Sequence, residues 1–270
     1  MKKLSVITIC YNEPNLEATC ESIVNQTWQD FEWIVIDGGS NKETLDIFEK
    51  YKHRINKFVS EPDKGIYDAC NKGIKLAEGE YLNFMNAGDS FYNSKVLENV
   101  VATNSNEDIL YGDINARYMD NTEKIIAFPE QLNEVFFFND NINTQGIFAK
   151  RDLFLQYGNF DTQYKIASDY DRWLKFYSES KTFKHLPIVI ANYKMDGISS
   201  VEKSQKLLLE EKSTIQSKYF SQSEINKFMD MCNAKNSFWE QIFSIKNNCN
   251  KSHKILTILG LHFYFRRGNK

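Results

Sequence analysis

LSVITICYNEPNLEATCESIVNQTWQDFEWIVIDGGS, residues 4–40, carries the strongest structural signal of the chain. Two runs of β-branched and aromatic residues, Leu4–Cys10 and Phe31–Asp37, predict short strands that are buried on both faces. Between them, residues 16–26 place apolar side chains at helical spacing. A strand, a helix and a second strand in this order favour a parallel βαβ unit with a right-handed crossover.

The same alternation of strands and helices continues to about residue 90. Two more helices and two more strands are predicted, at 42–51, 57–60, 65–77 and 80–85. Ligands bind beyond the carboxyl ends of the strands in sheets of this kind. We therefore expect the site in the loops that end these strands, at 11–13, 37–40, 61–65 and 86–89.

The second half of the chain is less regular. Further strands are predicted at 109–111, 114–119, 125–128 and 188–193. Further helices are predicted at 151–157 and 169–179, and the spacing of Leu, Ile, Phe and Met beyond residue 200 predicts a helical tail. The fold class is therefore predicted to be α/β, with a mostly parallel, doubly wound sheet and a C-terminal helical extension.

Composition and charge narrow the class of protein. The formal net charge is −3 and the pI is about 5.9, which argues against nucleic acid as a partner, because such proteins usually present a strongly basic face. The five cysteines are odd in number and include no Cys-x-x-Cys pair, which is typical of reduced thiols in the cytosol. No apolar run approaches the ~20 residues that span a bilayer, and the short run after Lys3 lacks the features of a leader. We therefore expect a cytoplasmic protein.

Two aspartates stand at strand ends. Asp37 ends the second predicted strand and Asp89 follows the fourth, so both are expected at the same edge of the sheet. Carboxylates placed there can hold Mg²⁺ or Mn²⁺, which prefer one or two carboxylates together with substrate phosphates. Because each aspartate also precedes a predicted helix, capping of that helix is the alternative for either one alone.

Residues 4–44 and the stretch EPDKGIYDACNKGIKLAEGEYLNFMNAGD, residues 61–89, resemble the inverting glycosyltransferases of family 2. The similarity rests on Tyr11-Asn12, Gln26-Thr27, the Asp-Gly-Gly-Ser run from Asp37 and the Gly-Glu-Tyr run before Asp89, and it extends over residues 4–195. It implies a GT-A fold and the transfer of a hexosyl or N-acetylhexosaminyl group from a nucleotide-sugar, most often a UDP-sugar. The acceptor implied is a hydroxyl group of a glycan or a lipid-linked molecule, in polysaccharide assembly for a cell envelope.

The resemblance also implies a division into domains. Residues 1–200 are expected to form the catalytic domain, with a nucleotide-sugar-binding half at 1–105 and an acceptor-binding half at 106–200. Residues 201–270 are expected to form the helical extension.

A donor site follows from the same resemblance. Asp89 matches the last carboxylate of the family's acidic motif and is expected to bind Mn²⁺ or Mg²⁺. Asn86 stands where the family usually has an aspartate, which predicts weak metal affinity and leaves an amide oxygen for ribose or metal. Asp37 is expected to face the base or ribose of the nucleotide. Other residues expected at the donor are Thr8, Tyr11, Asn12, Glu13, Gly39, Asp63, Gly65, Asp68, Asn71, Ala87 and Gly88, although Asp68 and Asn71 are alternatively helix fasteners.

Inverting transfer needs a carboxylate that accepts the proton of the attacking hydroxyl group. By resemblance Asp169 is expected to be this base, and Asp171 is the second candidate. The structural alternative makes Ser168 an N-cap and both aspartates first-turn charges that favour the helix dipole. Gln145 and Trp173 are expected on the acceptor side, with a buried structural amide as the alternative for Gln145.

Two other functions fit part of the sequence. A nucleotidyltransferase also combines a nucleotide-binding layer with a metal, but a polar Tyr-Asn-Glu-Pro loop follows the first strand where that class has a Gly-rich basic loop. A non-catalytic protein that binds a sugar nucleotide is compatible with the reduced acidic motif at 86–89.

The tail leaves its role open. Residues 255–267 are apolar and end in two arginines, which is typical either of a last helix packed on the catalytic domain or of a peripheral contact with the inner face of the cell membrane. Helices between residues 201 and 245 are candidates for a homodimer surface.

Overall fold

The structure is a computed structural model that describes residues 3–195, 202–247, 253–258 and 261–266. Side chains are described over residues 3–195 and 204–232. The chain divides into two compact units, Met1–Tyr219 and Phe220–Lys270.

The first part of the larger unit follows the predicted alternation closely. In chain order it contains β1 (Leu4–Cys10), α1 (Leu16–Val24), β2 (Phe31–Asp37), α2 (Lys42–Tyr51), β3 (Lys57–Ser60), α3 (Ile66–Leu76) and β4 (Tyr81–Phe84). The four strands pair in parallel in the order β3-β2-β1-β4. Every residue of β1 and β2 is buried, as their unbroken apolar runs predict.

The second part adds elements that sequence patterns showed only partly. They are β5 (Ser90–Phe91), α4 (Val96–Ala102), β6 (Ile109–Arg117), β7 (Glu123–Ile126), α5 (Glu134–Asn139), a 3-10 turn (Thr144–Gly146), β8 (Ile147–Lys150), α6 (Arg151–Tyr157), α7 (Ser168–Ser178), β9 (Phe183–Lys194) and α8 (Glu202–Tyr219). The two strands predicted at 109–111 and 114–119 are one strand, β6, whose register against β9 shifts at Gly112 and Asp113.

One sheet of nine strands, counted over the described residues, runs through the larger unit. Its order is β3-β2-β1-β4-β8-β6-β9-β5, with β7 paired to β6. The sheet is parallel through its first four strands and mixed beyond them, because β8 runs antiparallel to both β4 and β6. The 3-10 turn that precedes β8 lies beside the carboxyl end of β4. Strand β8 therefore begins at that edge of the sheet and runs towards the edge where β4 begins.

The smaller unit corrects the prediction of a wholly helical tail. After α9 (Gln222–Ile242) come β10 (Phe243–Asn247), β11 (His253–Ile258) and β12 (Leu261–Arg266), which pair antiparallel in that order. Isoleucine, threonine, phenylalanine and tyrosine in β11 and β12 favour strands over a helix. Residues 259–260 and 267 of the segment predicted to contact a membrane lie outside the described residues. In the described part of the chain, every helix is too short or too polar to cross a bilayer.

The larger compact unit extends past residue 200, the predicted end of the catalytic domain. It ends at Tyr219, because α8 is bonded to α7 and to the segment that precedes α7. We therefore propose that α8 belongs to the catalytic domain.

Glu32 on β2 is a buried carboxylate at the sheet edge opposite the candidate loops. It accepts hydrogen bonds from the Ser5 hydroxyl and from the backbone N–H groups of Glu78 and Gly79. Burial raises the pKa of Glu32, but these bonds and the Lys57 charge outweigh burial and leave the pKa below its ordinary value.

We expect Glu32→Gln to lower the free energy of unfolding by about 2 kcal/mol, because buried N–H groups lose a charged acceptor. Since the folded-state pKa is lowered, this contribution is present above the ordinary pKa of 4.5 and is lost as the pH falls through the folded-state value. Urea unfolding of both proteins at about pH 7 and about pH 3 measures the difference. A difference that does not shrink on acidification would contradict this assignment.

Candidate active site

Asp37 organises the loop that follows β2. Its carboxylate accepts hydrogen bonds from the backbone N–H groups of Gly39 at 3.1 Å and Ser40 at 3.0 Å, and from the Ser60 hydroxyl at 2.6 Å. Gly39 has a φ of +86°, which glycine adopts without steric cost. Asp37 is 0% exposed and shapes the loop, and its contact with the base or ribose of a nucleotide stays a prediction.

The loop after β1 lies beside the Asp37 loop. The Asn12 N–H donates to Ser40 Oγ at 2.8 Å, and Asn12 Oδ1 accepts from the Asn41 N–H at 2.7 Å. Tyr11 is 67% exposed. An exposed aromatic ring on a fixed loop is a suitable surface for a nucleotide base to stack on.

Asp63 brings the loop after β3 against the same place. A Cβ atom on Gly38 would meet the Asp63 carboxylate and would lie 3.4 Å from the Tyr11 ring, so both side chains lie against this glycine. Asp63 Oδ1 accepts from the Gly65 N–H at 2.8 Å, and Gly65 has a φ of +120°. Asp68 Oδ2 accepts from the backbone N–H of Lys64 at 3.1 Å. The predicted donor loops therefore meet at one position.

Asp89 ends the loop after β4 and is almost fully buried. Its Oδ2 accepts from Gln145 Nε2 at 2.7 Å, and its Oδ1 accepts from the backbone N–H of Lys194 at 2.9 Å. The Thr19 hydroxyl accepts from the Gly88 N–H at 3.0 Å and donates to the Asp89 carbonyl oxygen at 2.6 Å. Asp89 is therefore held from α1, from the 3-10 turn and from β9.

The residues around Asp89 fit a divalent cation that takes most of its ligands from a bound diphosphate. Asn86 Oδ1 is buried and has no hydrogen-bond partner. A Cβ atom on Gly88 would lie 3.2 Å from the Glu13 carboxyl carbon, so a second carboxylate lies against this loop. Across the described residues there is no cluster of three or more His, Cys, Asp or Glu side chains that could hold a metal alone. Mg²⁺ and Mn²⁺ accept one or two carboxylates completed by substrate phosphates.

Asp169, the second residue of α7, is half-buried and surrounded by donors. Its Oδ1 lies 3.0 Å from the Tyr67 hydroxyl, and its Oδ2 lies 3.1 Å from Asn141 Nδ2 and 3.3 Å from Thr144 Oγ1. Burial raises the pKa of Asp169, although bonds from Tyr67 and Thr144 act in the opposite direction. Burial and the nearby Asp169 charge raise the pKa of Tyr67 well above its usual value, so Tyr67 stays protonated and donates.

Asp171 has different surroundings. Its carboxylate is 2% exposed and bonds to Lys218 Nζ at 2.8 Å, to the Tyr219 hydroxyl at 3.1 Å and to Arg172 at 3.3 Å. Lys218 and Tyr219 thereby join α7 to α8. A carboxylate committed in this way has no route to an acceptor hydroxyl, which favours Asp169 over Asp171 as the base.

Two residues predicted on the acceptor side are placed elsewhere. Trp173 is fully buried, with its ring against Phe154, Phe160 and Phe176, so it cannot contact an acceptor. Gln145 is buried and its amide donates to Asp89, as the structural alternative predicted. We therefore leave both residues out of the acceptor site.

Two residues predicted at the donor are also structural. Thr8 is buried within β1 and accepts a hydrogen bond from Trp33 Nε1 at 3.0 Å. Asn71 exchanges two hydrogen bonds with the backbone of Phe160, at 2.8 and 3.0 Å, and so fastens α3 to the segment after α6. These contacts give both side chains a structural role in the fold.

Three predicted carboxylates lie along one edge of one sheet. Thr144 and Gln145, which are adjacent in the chain, contact Asp169 and Asp89 respectively. Asp37 and the loop at 86–89 both flank the carboxyl end of β1. The arrangement therefore places Asp89 and Asp169, whose pKa is raised, beside the same 3-10 turn.

Some residues of the site had little or no sequence signal. Tyr67 lies in α3, just after the loop predicted at 61–65, and Thr144 lies beside Gln145, but neither has a pattern that indicates its contact with Asp169. Asn141 and the backbone N–H of Lys194 have no signal at all, since their roles depend only on tertiary contacts.

Solved glycosyltransferase structures share this fold. The chain matches S. aureus TarS in complex with UDP-GlcNAc with a TM-score of 0.64 and 18% identity, over 84% of this chain and 70% of that chain. It also matches a mannosyltransferase from Pyrobaculum calidifontis in complex with GDP-Man and Mn²⁺, with a TM-score of 0.56 and 19% identity, over 71% of this chain and 56% of that chain. The fold is therefore the GT-A fold, as the resemblance implied.

Relatives in sequence agree with the fold. A PGL/p-HBAD biosynthesis glycosyltransferase of Mycobacterium tuberculosis is 33% identical over 189 residues, which cover 67% of this chain and 72% of that protein. An uncharacterized glycosyltransferase of Methanocaldococcus jannaschii is 24% identical over 219 residues, or 76% of each chain. The sequence profile described as Glycosyl transferase family 2 matches residues 5–162, more than half of the chain. The chain is therefore a glycosyltransferase that belongs to glycosyl transferase family 2.

Proposed function

We propose that this glycosyltransferase inverts the anomeric centre, transferring a sugar from a UDP-sugar to a hydroxyl group of a glycan or a lipid-linked acceptor. The observation that carries the proposal is the Asp169 carboxylate. It is half-buried, it is oriented by Tyr67, Asn141 and Thr144, and its pKa is raised by burial. A general base works best when its pKa approaches the working pH.

In the proposed reaction the acceptor oxygen attacks the anomeric carbon from the side opposite the diphosphate. Asp169 takes the proton of that oxygen as the new C–O bond forms. The bond between the anomeric carbon and the phosphate oxygen breaks, and its electron pair leaves with the nucleoside diphosphate. One displacement inverts the anomeric configuration, and Asp169 returns its proton to solvent.

The donor side follows from the loops at the same edge. Tyr11 offers an exposed ring for the base, and the loops ending in Asp37 and Asp63 shape the floor beneath it. A Mn²⁺ or Mg²⁺ ion bound by Asp89 would neutralise the charge that develops on the leaving diphosphate. Support comes from similar structures that hold UDP-GlcNAc, or GDP-Man and Mn²⁺.

The cellular setting is part of the proposal. The separated cysteines support a cytoplasmic enzyme, and the two arginines that end the segment at 255–267 support a peripheral contact with the inner face of the cell membrane. The acidic pI supports the absence of nucleic acid among its partners.

The test uses UDP-sugars with Mn²⁺ and a panel of glycan and lipid-linked acceptors. Release of UDP and the anomeric coupling constant of the product are followed by NMR. We expect an α-linked donor to give a β-linked product. A product that retains the donor configuration would overturn the inverting mechanism, and donor binding without any turnover would favour a non-catalytic sugar-nucleotide-binding protein.

The pH dependence of transfer gives a second check. Because Asp169 acts only when deprotonated and burial raises its pKa, kcat should fall as the pH drops through a value above the ordinary ~3.9 of an aspartate. A pH–kcat profile with donor and acceptor saturating measures this acid limb. A rate that is constant down to about pH 4 would contradict a base with a raised pKa.

A further inference from the structure

Glu211 on α8 lies under the segment that leads into α7. Its carboxylate is 8% exposed and accepts three backbone hydrogen bonds, from the N–H groups of Lys165 at 2.7 Å, Ile166 at 3.0 Å and Ala167 at 2.9 Å. Asp169 follows two residues later. One buried carboxylate, on a helix that is distant in the sequence, therefore holds three successive peptide groups next to the proposed base.

This contact supplies what the local sequence does not. Ser168 was an alternative N-cap, but the cap position is Ala167, without a side-chain bond, and Ser168 Oγ is buried with no partner. A negative charge near the first turn of a helix is favourable, because the first N–H groups point towards it. Glu211, which lies on α8, supplies this negative charge.

The same segment is held from its other side. The Tyr67 hydroxyl lies 2.6 Å from the carbonyl oxygen of Ile166 and 3.0 Å from Asp169 Oδ1, so its single proton is available to either acceptor. The Ile166 N–H is bonded to Glu211. The peptide unit at Ile166 is thus held by Tyr67 of α3 and by Glu211 of α8. Tyr67 also contacts Asp169.

A second contact joins α8 to α7. Lys218 and Tyr219 bond to the buried Asp171 carboxylate, two residues after Asp169. Gln216 of α8 donates to the carbonyl oxygen of Phe138, close to the Asn141 that contacts Asp169. Helix α8 therefore reaches both segments that surround the base.

From these contacts we infer that Glu211 is a positioning residue for the transfer reaction, acting through Asp169. The inference rests on the proposed role of Asp169 as the base. Without the Glu211 charge the segment at 165–167 loses its shared acceptor and the first turn of α7 can shift. A displacement of about 1 Å at a reacting group can cost about a hundredfold in rate.

The test compares Glu211→Gln with the matched variant Glu32→Gln in the full chain. Both remove a buried carboxylate that accepts three hydrogen bonds, but Glu32 lies at the opposite edge of the sheet. At a temperature where both variants are folded by circular dichroism, we expect Glu211→Gln to lower kcat by about thirtyfold with an unchanged donor KM. Glu32→Gln should keep both constants. An unchanged kcat in Glu211→Gln, or an equal loss in both variants, would overturn the inference.

A double mutant separates this inference from the function on which it rests. If Glu211 acts through Asp169, then adding Glu211→Gln to Asp169→Asn should give no further loss of kcat. Losses that multiply would show that Glu211 acts elsewhere and would overturn the positioning role. Normal transfer by Asp169→Asn alone would instead overturn the proposed base. If Glu211→Gln does not fold, Glu211→Asp serves in its place and should show a smaller fall in kcat, with donor KM again unchanged.

Discussion

Asp169→Asn is expected to lower the rate of sugar transfer by about a thousandfold, within the range that general bases contribute, and to leave donor affinity unchanged. The amide keeps the shape of the carboxylate but cannot accept a proton. The pocket can accommodate it, because Asn141 Oδ1 is buried without a partner and a rotation of that amide would offer an acceptor to the new NH₂ group. The fold and the Asp89 side of the site should therefore remain intact.

Initial rates with saturating donor and acceptor measure the loss, and titration with UDP and Mn²⁺ measures donor affinity. Asp171→Asn is the comparison. Because Asp171 is an ion-pair partner of Lys218, this variant should have a lower free energy of unfolding and a smaller loss of kcat than Asp169→Asn. Normal transfer by Asp169→Asn would refute the base assignment. A larger loss of kcat in Asp171→Asn at equal folded fraction would reverse the order of the two candidates.

Asp89→Asn is expected to weaken Mn²⁺-dependent donor binding by at least about a hundredfold. Asp89 supplies the charged oxygen atoms of its loop, and it is oriented by Gln145 and by the backbone N–H of Lys194. The asparagine retains the volume and one acceptor but removes the charge that attracts a cation. A carboxylate is a far better ligand than an amide for Mg²⁺ or Mn²⁺.

Thermal unfolding with UDP, with and without Mn²⁺, measures this effect, because a ligand that binds only the folded state raises the melting temperature. The unaltered protein should show a larger shift with the metal than without it, and Asp89→Asn should show no difference. Asp113→Asn, which removes a carboxylate bonded to His185 away from the loop at 86–89, should keep the full shift. A metal-dependent shift that survives in Asp89→Asn would place the cation elsewhere.

The first four strands and their helices follow directly from the sequence. Strands such as Leu4–Cys10 and Phe31–Asp37 are read correctly because a strand buried on both faces is an unbroken apolar run, a local property. The loops after them could be located as well, since the parallel order brings the carboxyl ends of strands to one edge. Asp89 and Asp169 were chosen from motifs, which depend on neighbours in the chain.

What surrounds those residues was decided by tertiary contacts alone. Tyr67 and Asp169 are 102 residues apart, and no periodicity records that they touch. The role of Gln145 changed for the same reason, because its distance from Asp89 is set by β8 returning antiparallel to β4.

Burial and helix ends show the same limit. Trp173 has an aromatic side chain of the kind that contacts an acceptor, but it lies in the core. Its exposure is decided by the aromatic rings packed around it, which the local sequence does not show. The end of α7 that carries Asp169 is stabilised by Glu211, a residue of another helix. Sequence alone thus determined the first four strands, the loops that follow them and the chemical groups available, because these follow from local pattern. Only the folded chain decided which groups meet, because burial and hydrogen bonding between distant segments are properties of packing.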